Sequence, residues 1–70
     1  MVVERELKSL RGEMSPALKN IVNLKGYVRA EGYPVYYFEN KNGDSMGESQ
    51  RYSQMIMFIH IMNNILREVK

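Results

Sequence analysis

The sequence predicts a small α+β domain in which two short helices precede a β-hairpin and a long carboxy-terminal helix. Three observations favour this class. Residues 3 to 24 place apolar side chains at helical spacing, residues 27 to 38 are rich in tyrosine and valine, and residues 49 to 70 return to helical spacing. A chain of 70 residues forms one domain at most, so we treat residues 1–70 as a single unit.

The first helix is predicted over residues 3 to 11. Val3, Leu7 and Leu10 follow the i, i+4, i+7 spacing of one helical face. We expect Gly12 to end this helix, because glycine is a poor helix former.

The second helix should begin at Pro16 and run to about residue 25. The hydroxyl of Ser15 can accept a hydrogen bond from a free amide, and proline tolerates the first helical position. Gly26 is expected to end the helix, since glycine adopts the left-handed cap conformation at low cost. The apolar face of this helix would hold Leu18, Ile21, Val22 and Leu24.

A hairpin is predicted after Gly26. A two-residue turn at Glu31-Gly32 would place Val28 opposite Val35 and Tyr27 opposite Tyr36. Asn42-Gly43 is a second and stronger turn signal. A third strand after it is possible, and Gly47 would keep that strand short.

The last helix is predicted over about residues 49 to 70. Its apolar side chains, Ile61 among them, cover more than half of the circumference, which is too wide an arc for one small domain to bury. We therefore expect this helix to be the dimerisation element of a two-fold homodimer. The alternative is that these residues form the core of a single subunit. The predicted interface residues are Tyr52, Met55, Phe58, Ile59, Met62, Ile65, Leu66 and Val69.

Composition excludes several classes of protein. The chain has no cysteine and one histidine, so neither a disulfide framework nor a structural zinc site has its ligands. The longest apolar run, MIMFIHIM, has eight residues, against roughly 18 or more for a membrane span. The charged start, MVVERELK, is unlike a secretory signal. We expect a cytoplasmic protein with no membrane partner, no metal and no cofactor.

No enzymatic activity is expected. Residues 43 to 47, GDSMG, match the G-x-S-x-G pattern of a nucleophile elbow, and His60 follows as a conceivable base. That elbow requires a strand leading in, a helix leading out and a sheet larger than this chain allows. A glycine-rich surface turn is the better interpretation.

The distribution of charge indicates a basic segment. Residues 14 to 30 carry Lys19, Lys25 and Arg29 without any acid, whereas residues 31 to 48 carry four acids against Lys41. The net charge of +2 is too small to identify a nucleic-acid partner. The hypothesis of nucleic-acid binding therefore rests on the local excess of positive charge at residues 14 to 30.

Two stretches, ELKSLRGEMSPALKNIVNL and KGYVRAEGYPVYYF, resemble the helix pair and the wing of a winged helix-turn-helix domain over residues 6 to 38. The resemblance implies a dimeric transcriptional regulator whose second helix enters the major groove of double-stranded DNA. Lys19 and Lys25 would hold phosphates, Asn20 or Asn23 would contact an adenine edge, and Arg29 would touch the DNA backbone or minor groove. The alternative for these side chains is an ordinary solvated surface.

A second resemblance favours a different partner. The stretch NLKGYVRAEGYPVYYF, followed by YSQMIMFIHIMNNIL, is similar to the first half of a roadblock-type domain, a dimeric module that binds partner proteins such as small GTPases. On this hypothesis Tyr27, Tyr36 and Tyr37 belong to the core or to a protein interface. Both resemblances predict the same order of elements and a dimer.

Overall fold

The α+β class and the order of elements are confirmed by a computed structural model, which describes residues 3–68. A three-stranded antiparallel sheet in the order β1-β2-β3 follows two helices and precedes a third, so the third strand is present. Within residues 3–68, no helix combines the length and the apolar character needed to cross a membrane. The elements are α1 (Val3–Glu13), α2 (Pro16–Ile21), β1 (Val22–Val28), β2 (Pro34–Asn40), β3 (Ser45–Ser49) and α3 (Tyr52–Glu68).

Helix α1 continues through Gly12, which does not end it. The helix runs to Glu13, and the amide of Met14 still donates to the carbonyl oxygen of Arg11. Leu7 and Leu10 are buried, as the helical spacing predicts. The chain then turns at once into α2.

Helix α2 begins where predicted and ends earlier. Ser15 caps it by accepting a hydrogen bond from the amide of Leu18 at 3.2 Å, with Pro16 in the first turn. The predicted extension to residue 25 is wrong, because Val22 already has extended backbone angles and begins β1. Ile21 is exposed, whereas Val22 and Leu24 are buried in the alternation of a strand. The short run at residues 21 to 24 fits the period of a helix as well as the period of a strand. Pairing with β2 makes it a strand.

Gly26 lies in the middle of β1 and is not a helix stop. A Cβ atom there would lie 3.3 Å from side-chain atoms of both Leu7 and Val3 and 3.0 Å from the carbonyl oxygen of Val35. Helix α1 therefore crosses β1 closely at this glycine, which explains the residue type.

The first hairpin differs from the prediction by one residue. Val28 pairs with Pro34 and Tyr27 with Val35. The loop has three residues between Arg29 and Tyr33 and ends with Gly32 at a positive φ of 97°, where two residues were predicted. A one-residue change of register changes the partner of every side chain.

The second hairpin turns at Asn42-Gly43, as predicted, but its loop also has three residues where two were predicted. The amide of Asn40 donates to the carbonyl oxygen of Asp44, and Gly43 has a φ of 91°. Strand β3 pairs with β2 through an irregularity between Tyr36 and Phe38, next to which Gly47 takes a φ of 63°.

All three helices contribute side chains to one core on a single side of the sheet. From the strands this core receives Val22, Leu24, Tyr36 and Phe38. The residues that alternate with them on β1 and β2 point to the opposite side, which we call the open face. The turn between α1 and α2 supplies Met14, and the helices supply Leu7, Leu10, Leu18, Met55 and Ile59.

Candidate nucleic-acid interface

A basic cleft opens where α1, α2 and β1 meet. Arg11, Lys19, Asn23 and Lys25 line it together with the apolar side chains of Met14, Val22 and Leu24, around a volume of about 490 Å³. No acidic side chain belongs to this lining, as far as the described residues show. Three cations from three elements therefore converge on one depression, which we call the basic cleft.

Arg11 is the member of this cleft that the sequence did not indicate. Its guanidinium donates a hydrogen bond to the carbonyl oxygen of Leu24 at 2.8 Å, on the edge of β1 that does not pair with β2. Along the chain Arg11 lies among Glu4, Glu6 and Glu13, so the first thirteen residues are locally neutral. Arg11 joins Lys19 and Lys25 only because the fold brings α1 beside β1.

Lys25, the cation on β1, forms an ion pair with an acid on β2. The ammonium of Lys25 lies 3.2 Å from a carboxylate oxygen of Glu39, and the two side chains are 48% and 24% exposed. An ion pair that is this open to solvent contributes little to stability, about 0–1 kcal/mol. Next to this pair, Lys41 donates to the side-chain oxygen of Asn23 at 3.2 Å and brings a fourth cation near the cleft.

Two predicted residues lie outside the cleft. Asn20 is exposed on α2 and does not line it. Arg29 follows β1 at the hairpin loop, where its Nε atom lies 3.9 Å from a carboxylate oxygen of Glu31. Its guanidinium also lies over the ring of Tyr33, 5.7 Å from the ring centroid. Of the five predicted residues, Lys19, Asn23 and Lys25 are brought together, on a helix and a strand rather than on one recognition helix.

The open face of the sheet carries tyrosines next to the cleft. Tyr27 on β1 contacts Tyr37 on β2 edge to face, with ring centroids 6.1 Å apart. Tyr33 directly precedes β2, and its carbonyl oxygen accepts a hydrogen bond from the amide of Arg29. Val35, between Tyr33 and Tyr37 on the chain and opposite Tyr27, is fully buried outside the core cluster. We attribute its burial to the surrounding rings, and we call Tyr27, Tyr33 and Tyr37 the tyrosine face.

The residues of the predicted dimer interface differ in how deeply the structure buries them. Met55 and Ile59 are completely buried inside the subunit, so they do not face a partner. Ile65 is 54% exposed, and Val69 lies outside the described residues. The remaining members are partly buried against the core: Tyr52, Phe58, Met62 and Leu66.

An uncovered apolar patch nevertheless remains on α3 and β3. Met57, Ile61 and Ile65 form one row along α3, each about half exposed, and Met46 on β3 is 46% exposed. A groove of about 240 Å³ with almost no polar surface runs between Met46 and the α3 side chains of Phe58 and Ile61. Met46 could not be assigned to this surface from the sequence, because it depends on the pairing of β3. We call Met46, Met57, Phe58, Ile61 and Ile65 the apolar patch.

The GDSMG segment forms the end of the second turn and the first part of β3, and β3 ends two residues after it. His60 lies on the exposed side of α3, with its Nε2 atom 3.7 Å from a carboxylate oxygen of Glu13. Between Val3 and Glu68, no three histidine, aspartate or glutamate side chains come together as a metal site would require.

Comparison with known proteins adds no relative. No protein-family model matches the chain, and neither a curated protein nor a solved structure shows significant similarity to it. Function must therefore be inferred from the geometry of the basic cleft, the tyrosine face and the apolar patch.

Proposed function

We propose that this protein binds nucleic acid through the basic cleft. The observation that carries the proposal is the convergence of Arg11, Lys19 and Lys25 around one depression, in whose lining the described part of the chain places no acid. Clustered cations on one surface attract phosphates, and their binding energy depends on released counterions. Asn23, an exposed residue that also lines the cleft, supplies a polar side chain that could contact a sugar or a base.

The winged helix-turn-helix resemblance agrees with this ligand but not with its mode of recognition. Helix α2 has six residues, fewer than two turns, and Asn23 follows it on β1. The cleft therefore suits contacts to phosphates better than insertion of a helix into a major groove. Double-stranded DNA and single strands both offer phosphates. The tyrosine face beside the cleft helps to choose between these two ligands.

A second proposal concerns the apolar patch. Exposed apolar patches of this kind mark interaction sites, and a homodimer through α3 is the assembly that we propose for it. If the patch instead takes a different protein, the roadblock-like function is the better hypothesis. We place either assembly in the cytoplasm as part of the same proposal.

Salt-dependent binding tests the first proposal. Neutralisation of three phosphates would weaken affinity by about 20- to 40-fold between about 50 mM and about 200 mM salt. We expect Lys19→Ala to reduce the slope of log affinity against log salt by about one. Lys8→Ala, an exposed cation on α1 that does not line the cleft, is the matched control and should leave the slope unchanged. Absence of binding at low salt would refute the proposal.

A further inference from the structure

We propose that the tyrosine face binds unpaired nucleobases, which makes the ligand of the basic cleft a single-stranded nucleic acid. This inference rests on the proposed function, because the cleft would hold the phosphates of the same strand. It is supported by the side of the sheet that Tyr27, Tyr33 and Tyr37 share, by the exposure of Tyr27 and by the cations beside that residue.

The tyrosines lie on a face that the core does not use. Tyr36 and Phe38 are buried under the helices, so Tyr37 between them projects to the other side of the sheet. Tyr27 shares that side and is 43% exposed, although an aromatic ring of its size is normally better covered. Its edge-to-face contact with Tyr37 therefore leaves free ring surface.

Cations lie on both sides of Tyr27 along the chain, Lys25 within β1 and Arg29 directly after it. Lys25 and Arg29 occupy the same side of the strand as Tyr27, four residues apart, which corresponds to about 13 Å. Lys25 also lines the basic cleft, so the two surfaces are continuous. A nucleic-acid strand could thus place phosphates at Arg29, Lys25 and the cleft while its bases meet the rings between them.

This arrangement fits unpaired bases and not a duplex. Every base has a π-face, so stacking on aromatic side chains combined with cationic contacts to the backbone recognises single strands with little sequence preference. In a duplex the faces of the bases are covered by their neighbours in the stack. Glu39 on β2 pairs with Lys25, and Glu31 in the hairpin loop pairs with Arg29. Both pairs are at least partly exposed, so we expect a phosphate to displace the carboxylates.

The test uses labelled oligonucleotides of about 12 nucleotides. Oligothymidylate, oligouridylate and a blunt duplex of the same length are titrated against the whole protein at low salt, with fluorescence anisotropy as the measurement. We expect both single strands to bind at least about ten times more tightly than the duplex, because only unpaired bases can stack on the rings. The chain contains no tryptophan, so its tyrosine emission can be followed as a second signal of binding.

Substitutions at Tyr27 separate stacking from packing. Tyr27→Phe keeps the ring and should bind as the wild type does, whereas Tyr27→Leu keeps an apolar cover over Val35 and removes the π-face. We expect Tyr27→Leu to weaken single-strand binding by between about fivefold and about a hundredfold. Val28→Ala, at a neighbouring exposed position on the other side of β1, should have no effect. Glu39→Gln should strengthen binding, because it frees Lys25.

Failure of this inference can be told from failure of the proposed function. If duplex and single strands bind equally and Tyr27→Leu has no effect while Lys19→Ala weakens binding, the cleft binds nucleic acid and the stacking inference is wrong. If no oligonucleotide binds at low salt, both are wrong.

Discussion

The guanidinium of Arg11 donates a hydrogen bond to the main-chain carbonyl oxygen of Leu24 at 2.8 Å. This contact joins α1 to the free edge of β1 and places a cation beside Lys19 and Lys25. It also occupies an acceptor that an exposed strand edge would otherwise offer to another chain. One side chain thus supports the fold and completes the basic cleft.

Replacement of Arg11 should separate these two roles. Arg11→Lys keeps the charge and should retain most of the salt-dependent binding of oligonucleotides, whereas Arg11→Ala should reduce the salt slope by about one. Arg11→Ala also removes the hydrogen bond to the carbonyl oxygen of Leu24. It should therefore lower the free energy of unfolding by about 0.5–1.5 kcal/mol. Arg5→Ala, on an exposed position of the same helix, is the control for both measurements. An unchanged slope for Arg11→Ala would show that the arginine does not contact the ligand.

Asn63 holds the connection between α1 and α2 against α3. Its side-chain nitrogen donates to the carbonyl oxygen of Glu13 at 2.7 Å, and its side-chain oxygen accepts from the amide of Ser15 at 3.0 Å. We expect Asn63→Ala to lower the free energy of unfolding by about 1–3 kcal/mol in urea denaturation, because two backbone groups lose their partner. Asn64→Ala, exposed on the same helix, should change it by less than about 0.5 kcal/mol. Equal effects of the two substitutions would contradict the role given to Asn63.

Gly47 and Gly12 should respond in opposite directions to alanine. A Cβ atom at Gly47 would lie 2.9 Å from a ring atom of Phe38, on a backbone with a φ of 63°, so Gly47→Ala should destabilise the fold by about 1–3 kcal/mol. Gly12 lies inside α1, where a Cβ atom would meet no other atom within 4 Å, and Gly12→Ala should stabilise by about 0.5–1 kcal/mol. Thermal unfolding of both variants checks the pair. A stabilising Gly47→Ala would contradict the described bulge.

The apolar patch predicts a dimer that a single surface substitution disrupts. Ile61→Asp places a charge at the centre of the patch, on a side chain that is already 49% exposed, so the fold should persist while the dimer dissociates. Ile59→Asp, two residues earlier and in the core, should instead unfold the subunit. Sedimentation velocity with circular dichroism distinguishes the two results. A wild-type protein that remains monomeric at micromolar concentration would contradict the homodimer.

The order of elements was predictable from the sequence because each signal was local. Ser15-Pro16 begins α2 and Asn42-Gly43 turns the second hairpin through properties of those residues alone. The end of α2 and the register of the first hairpin were not predictable, because a short apolar run fits two periods and a three-residue loop differs from a two-residue loop only in its pairing.

Only part of the candidate site could be predicted from the sequence. Lys19, Asn23 and Lys25 were identified from their local charge and polarity, whereas Arg11 and Met46 gain their positions from contacts between distant segments. Gly26 was misinterpreted for the same reason, since its close contact is with α1 and not with its sequence neighbours.

The most direct test of the central claim is a titration of isotope-labelled protein with a short single-stranded oligonucleotide, followed by amide chemical shifts. We predict shifts that concentrate at Arg11, Lys19, Lys25 and the tyrosine face and that diminish as salt increases. Shifts confined to the apolar patch, or no shifts at low salt, would contradict it.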